Sequence, residues 1–266
     1  MKRLALTLQV LLLAATMSSA QVANTLDVRY HDVAGRLIGA ALVDEGGWEK
    51  LSYLTTRIGN RLSGSAALEQ AVQWVFERMK AEGLENPRLQ PVKVPHWVRG
   101  RESARVVAPV EKPLNILGLG SSIGTGPDGV TAPVIVVGSF DELEALGESR
   151  VKGKIVLYDV PWKGYGQTNT YRTSGASRAA QLGAVASIVR SMTGSSLYTP
   201  HTGNQNYSAG ITRIPAAAIT IEEAAWIRRM IEAGQEVRVN LQMEAQMLPD
   251  ADSANVIAEI TGRTSG

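Results

Sequence analysis

The part of this sequence that most constrains its fold is its last apolar stretch. Residues 253–262 read SANVIAEITG, with Val256, Ile257 and Ile260 set among small residues after Pro249-Asp250, and the sequence stops at Gly266. Such a run between turn signals reads as a buried strand entering an α/β domain. A strand cannot by itself cover its apolar side chains or pair its backbone groups. With no sheet to join in the sequence, the run predicts one of two things: a partner completes it, or these 266 residues are the front part of a longer protein.

The other end of the chain is read first as an address. Lys2 and Arg3 precede an apolar run from Leu4 to Ala15, and Ser18-Ser19-Ala20 supplies the small residues of a cleavage site. That is the pattern of a signal peptide over residues 1–20, with Gln21 as the expected mature N-terminus. The run is shorter than the roughly 20 apolar residues that span a bilayer. The expectation is a secreted or periplasmic protein with no membrane partner after cleavage. Removing Lys2 and Arg3 also takes away the whole formal charge of +2, and no basic cluster remains to attract nucleic acid. There is no cysteine, so disulfides, thiol catalysis and Cys-ligated zinc are all excluded. An exported chain of this kind relies on its core, and about 245 mature residues suffice for one.

Between these ends the periodicity changes twice. Residues 26–60 read as helical, with Val33, Leu37 and Ala41 before the Gly46-Gly47 break and Trp48, Leu51 and Ile58 after it. A clearer helix follows, because Ser65 is a good N-cap and Leu68, Ala71, Val72, Val75, Phe76 and Met79 form one stripe. Gly83 closes it. Strands are expected over 88–97 and 102–109, the first at an edge because of Pro87, Pro91 and Pro95. Beyond residue 112 the texture becomes short β-branched runs and glycine turns: strands over 132–138, 154–159, 184–189, 216–220 and 236–241, with helices over 174–182 and 221–233. This is the pattern of one domain interrupted by another, with boundaries at 21–111, 112–248 and 249–266.

Several residues invite a chemical reading. His31, His96 and His201 lie in three separate segments without metal-ligand spacing, and each reads first as a surface or hydrogen-bonded residue. His201, within Tyr198-Thr199-Pro200-His201-Thr202-Gly203, is the exception to test: its loop orders the second domain or lines a substrate entrance. Gly118-Leu119-Gly120-Ser121-Ser122-Ile123-Gly124 resembles a dinucleotide fingerprint, but Ile123 stands where the third glycine belongs and turn residues follow, so it reads as a loop. Ser63 and Ser65 lack the nucleophile-elbow context and read as a turn and a helix cap. Tyr158, Trp162, Tyr165, Tyr171, Tyr198 and Tyr207 are either core and turn packing or a recognition surface. Asp141, Glu142, Glu144 and Glu148 read as the solvated face of a short helix.

Four segments together carry a family likeness. Arg57-Ile58-Gly59-Asn60-Arg61-Leu62-Ser63-Gly64-Ser65 resembles the signature opening of the carboxypeptidase Q (plasma glutamate carboxypeptidase) family. Tyr165-Gly166-Gln167-Thr168, Gly183-Ala184-Val185-Ala186-Ser187 and the loop at 198–203 resemble that family's protease-associated insert, and 255–262 the strand that resumes its catalytic domain. The resemblance implies an α/β fold in which the N-terminal helices and first strands of a zinc-exopeptidase domain, here incomplete, are interrupted by a β-rich α/β insert. It implies a secreted di-zinc carboxypeptidase or dipeptidase acting on small peptides. The family's metal ligands and general base follow that last strand, so no catalytic, metal or cofactor-binding residue is assigned to this chain. On its own the chain is expected to bind no zinc and to hydrolyse nothing. The alternatives are a non-catalytic binding or dimerising protein built on the insert, with a homodimer as the partner to test, and one half of a split enzyme.

Overall fold

The computed structural model describes residues 25–195 and 197–262, so the expected signal peptide lies outside the described residues. The chain divides into two units, residues 1–57 and 58–266. In the first, α1 (Thr25–Val43) and α2 (Gly46–Tyr53) flank the predicted Gly46-Gly47 break, and a π turn (Leu54–Ile58) follows. Val33, Leu37, Trp48 and Leu51, read as helix-face residues, are exposed. No described helix is long and apolar enough to cross a membrane.

The second unit begins with α3 (Ala66–Ala81). Ser65 caps it, accepting from the Leu68 amide, and Ala71 and Val72 are buried on its predicted stripe. This helix packs on a two-stranded antiparallel ribbon of β1 (Glu85–Val98) and β10 (Gln246–Glu259). The ribbon joins positions far apart in sequence, with Leu89 opposite Val256 and Val98 opposite Gln246. The last apolar stretch thus has a partner strand within the chain. It starts seven residues earlier than the pattern predicts, and it is half-buried rather than buried: Val256 and Ile257 are intermediate and Ile260 is 84% exposed. One neighbouring strand and one helix cover only part of it. The same contacts half-cover Leu68, Val75, Phe76 and Met79 of the predicted stripe.

Between the two strands of the ribbon runs an eight-stranded sheet, in the order β3-β2-β9-β5-β6-β7-β8-β4. Its members are β2 (Glu102–Ala108), β3 (Lys112–Leu114), β4 (Ile116–Gly118), β5 (Val130–Val137), β6 (Ile155–Tyr158), β7 (Ala186–Arg190), β8 (Ala216–Ile219) and β9 (Arg238–Met243). Strands β5 to β8 are parallel and the outer pairings antiparallel. Side chains alternate across a strand, so Val156 and Tyr158 share a core with α4 (Phe140–Val151) and α5 (Tyr165–Gln181). Ile155 and Leu157 share the opposite core with α6 (Ile221–Glu232). Cover on both faces is why these strands are continuous apolar runs.

The insert enters and leaves side by side. Glu102 of β2 lies opposite Met243 of β9. Just outside that pair the Glu244 carboxylate accepts from the Arg101 amide at 3.0 Å and from Arg101 Nε at 2.9 Å. The sheet already begins at β2, whereas the sequence pattern changes near residue 112.

Candidate functional site

The site worth building is a cleft of about 290 Å³ at this neck, lined by Leu62, Ser63, Pro95, Trp97, Arg99, Gly120, Ser121, Thr202, Gly203, Asn204 and Met247. Five separate stretches of sequence meet there: the turn before α3, the end of β1, the loop after β4, the 202–204 loop and the start of β10. Trp97 forms the fixed wall. It is buried, and its indole Nε1 donates to the Ser122 carbonyl at 2.8 Å. The Arg99 guanidinium lies 5.0 Å above the Trp97 ring and donates to Glu102 Oε1 at 3.4 Å and to the Gly118 carbonyl. Leu62 and Met247 are the exposed lips.

Local chemistry explains both loops. In the turn before α3, the Ser65 amide donates to the Leu62 carbonyl at 3.0 Å, and Gly64 sits at φ +77° with the His96 imidazole against its Cα. A Cβ at Gly64 would lie 2.7 Å from His96 Cγ, so backbone conformation and close packing both require glycine there. Hydrogen bonds along its length pin the 198–203 loop, three of them through side chains of the loop itself. Tyr198 donates its hydroxyl to Glu223 Oε1 at 2.7 Å, the His201 ring meets the Tyr165 hydroxyl at 2.8 Å, and Thr202 Oγ1 donates to the Gly118 carbonyl at 2.9 Å. Gly203 leaves room for the Arg172 guanidinium, whose Cζ a Cβ would approach to 2.5 Å.

Glu223 is the residue sequence reasoning missed. It is 2% exposed, and its carboxylate also accepts from Lys112 Nζ at 3.0 Å, the Asn115 amide at 2.9 Å and Thr220 Oγ1 at 3.1 Å. Thr220 in turn caps α6. A Thr-x-x-Glu capping box at 220–223 was the signal that could have found it. The hydrogen bond to Glu223 raises the Tyr198 pKa, with burial and the carboxylate charge adding to it. Burial by itself would lower Lys112, but its hydrogen bond and charge pairing with Glu223 leave it raised. A second missed group is Asp159, nearly buried after β6 and paired with Arg228 and with Arg190 at 3.4 Å.

The predicted candidates scatter. His31 is an exposed residue of α1, His96 packs on Gly64, and His201 holds its loop while its neighbours Thr202 and Gly203 line the cleft. Among the described residues, no three His, Asp or Glu side chains form a group that could hold a metal ion. The two zinc ions implied by the resemblance therefore find no donor set in these residues. Ser63 lines the cleft, while the Ser65 hydroxyl caps α3. In the 118–124 loop five amides are already engaged: Gly118 with Glu102, Leu119 with the Ala216 carbonyl, Gly120 with the Gly203 carbonyl, Ser122 with the Leu119 carbonyl and Ile123 with the Tyr207 hydroxyl. A phosphate cradle needs such amides directed outward, so the loop reading holds. The aromatic cluster divides: Tyr158 and Tyr171 pack with Phe140 in the core, whereas Trp162 and Tyr165 stack edge-on at 5.0 Å on the surface. Asp141, Glu142, Glu144 and Glu148 are exposed on α4.

This geometry can now be set beside known proteins. The PA domain family matches residues 126–227, within the eight-stranded sheet and its helices. Carboxypeptidase Q of Mus musculus is 46% identical over 236 residues, covering 88% of this chain and 50% of that protein. The chain thus spans about half the length of the relatives it matches. The crystal structure of a peptidase M28 precursor from Shewanella amazonensis shares the fold with a TM-score of 0.84 at 34% identity, over 90% of this chain and 55% of that one. A zinc aminopeptidase from Bacillus subtilis shares the fold more distantly, with a TM-score of 0.54 at 21% identity over 77% of this chain and 44% of that one. Over the half of those proteins that it spans, the chain belongs to the carboxypeptidase Q family of peptidases and carries that family's fold with a PA domain inserted in it.

Proposed function

We propose that this chain supplies the substrate-facing wall of an exported zinc exopeptidase that hydrolyses small peptides, while the zinc ligands and the general base come from outside these 266 residues. One observation carries the reading. The 57–65 stretch and the 198–203 loop, which bear the family likeness, lie over 130 residues apart and still line the same cleft. The printed names of the relatives, carboxypeptidase Q and a zinc aminopeptidase, support hydrolysis and zinc for the whole protein. In such an enzyme the zinc would polarise the scissile carbonyl and activate a water. This chain's share is to bind, orient and exclude solvent: Trp97 and Met247 offer apolar surface, and the pinned 202–204 loop fixes the opposite wall.

The test is hydrolysis of a dipeptide panel by purified residues 21–266, with and without added zinc. No turnover above buffer is expected. Chelator-sensitive hydrolysis that co-purifies with the chain would overturn the division of labour proposed here. A second reading, in which the PA domain acts as a non-catalytic binding or dimerising module, draws on the surface cluster of Trp162, Tyr165 and His201 and on the exposed Leu197, four residues before His201 in sequence. It predicts a concentration-dependent dimer in sedimentation that Leu197→Asp dissolves.

A further inference from the structure

We infer that the cleft is a subsite for the neutral, apolar side chain of a short peptide, and that Trp97, Met247 and Leu62 set this preference. The inference rests on the reading of the cleft as substrate-facing and adds the class of side chain it takes. Three features of the cleft lead to it.

Size comes first. At about 290 Å³ the cleft lies at the low end of the roughly 300–1,000 Å³ typical of small-molecule sites. That suits one side chain with its flanking peptide groups.

Charge is the second feature. Arg99 is the one ionisable side chain in the lining, and it is already engaged by Glu102, the Gly118 carbonyl and the Trp97 ring face. An acidic side chain entering here would lose water and meet a cation that is already paired, while the apolar wall offers it nothing. Three of the polar lining side chains are likewise engaged: Ser121 Oγ donates to Asn204 Oδ1 at 2.8 Å, and Thr202 Oγ1 donates to the Gly118 carbonyl.

The third feature is the contrast within the apolar wall. Trp97 is held in place by its bond to Ser122, and Pro95 on the same strand is rigid. Met247, the cross-strand partner of Trp97, is 52% exposed and Leu62 39%, and a thioether chain adapts its shape to what it covers. A rigid aromatic surface with a flexible lip beside it accepts leucine, methionine or phenylalanine side chains while excluding a carboxylate.

The experiment reads binding on the chain itself, so absence of turnover does not bear on it. The Met247 methyl and Trp97 indole resonances are followed during titration with Gly-Leu, Gly-Phe and Gly-Glu, with Met247→Leu assigning the methyl signal. Saturable shifts of both signals by Gly-Leu and Gly-Phe are expected, with Gly-Glu at least tenfold weaker. Met247→Asp, at an exposed lip where folding tolerates the change, should weaken Gly-Leu binding at least tenfold, and Leu62→Asp serves as a second variant. Equal or tighter binding of Gly-Glu would overturn the inferred side-chain class and leave the cleft as a substrate-facing site. If no dipeptide moves either resonance in the folded protein, both the subsite and the reading beneath it fall.

Discussion

Strands β6 and β10 start from similar material and reach different ends. All four residues of β6 are buried, whereas none of the fourteen in β10 is. β6 has a parallel neighbour on each side and helices over both faces. β10 has β1 on one side and α3 against it. The difference lies in cover, since Val256 and Ile257 are as apolar as Ile155 and Val156. Buried polar groups follow the same division. The insert holds Glu223, Asp159 and Thr220 inside, each with partners, while the charges of the ribbon pair at its surface, as Arg88 does with Glu259 at 2.7 Å. The insert thus reads as a body that completes its own core, and the ribbon as the part whose cover is partial.

The largest test of this contrast is truncation at matched positions. Leu157→Ala, in a fully buried strand, should cost about 2–5 kcal/mol in denaturant unfolding. Val92→Ala, half-buried in β1, should cost under about 1.5 kcal/mol, because little of its surface leaves water on folding. Equal losses would mean that the ribbon is as well covered in solution as the insert, and the comparison would fail.

Gly64 sharpens the comparison at the place where the two regions meet. Gly64→Ala puts a Cβ onto the His96 ring and holds an alanine at positive φ. The expected cost is about 1–3 kcal/mol. Because the turn carries Ser63 and Leu62 into the cleft, the Trp97 indole resonance should move as well. His96→Ala in the same chain should recover the part of the loss due to the ring, and leave the part due to backbone strain and to the His96 Cβ, which would itself stand 2.9 Å from the new Cβ. Full recovery would show that φ at this position costs nothing.

Legibility in the sequence follows the same physics. Strand β6 and helix α3 were readable because each carries its period locally: an unbroken apolar run in one, and a capped stripe from Leu68 to Met79 in the other. The first half of α5 was not. Gly166, Thr168, Asn169, Thr170 and Thr173 are poor helix formers, and its support includes a tertiary contact, the bond from the Asn206 amide to the Thr173 carbonyl. The front of β10 was missed for a related reason. Pro249 and Asp250 read as a turn, and they do break the register between the Val94–Ala251 and His96–Leu248 pairs, yet β1 pairs on both sides of them, and no local signal announces a partner that distant. The cleft was the least legible feature. Its turns could be recognised one at a time, but their meeting depends on how β2 and β9 bring the ends of the insert together.

The smallest expected effect separates the two regions by pH. In the insert, Tyr198 and Lys112 titrate above their ordinary values of 10.0 and 10.5 through Glu223. A group raised on folding contributes stability that is complete below its unfolded pKa and is lost as pH climbs through the folded one. The insert should therefore weaken on the alkaline side. In the ribbon, Asn86 and Arg88 hold Glu259 below its ordinary 4.5, and at the neck Arg101 does the same for Glu244. A lowered carboxylate contributes above its unfolded pKa and loses that contribution as pH falls, so the ribbon should weaken on the acid side. Both carboxylates are solvent-exposed, so salt will shrink this limb further. Denaturation midpoints measured from pH 3 to pH 11 test the separation. Glu259→Gln should flatten only the acid limb and Tyr198→Phe only the alkaline one. If either variant flattened the other's limb, ribbon and insert would be one electrostatic unit, and the contrast drawn from their burial would not extend to their charges.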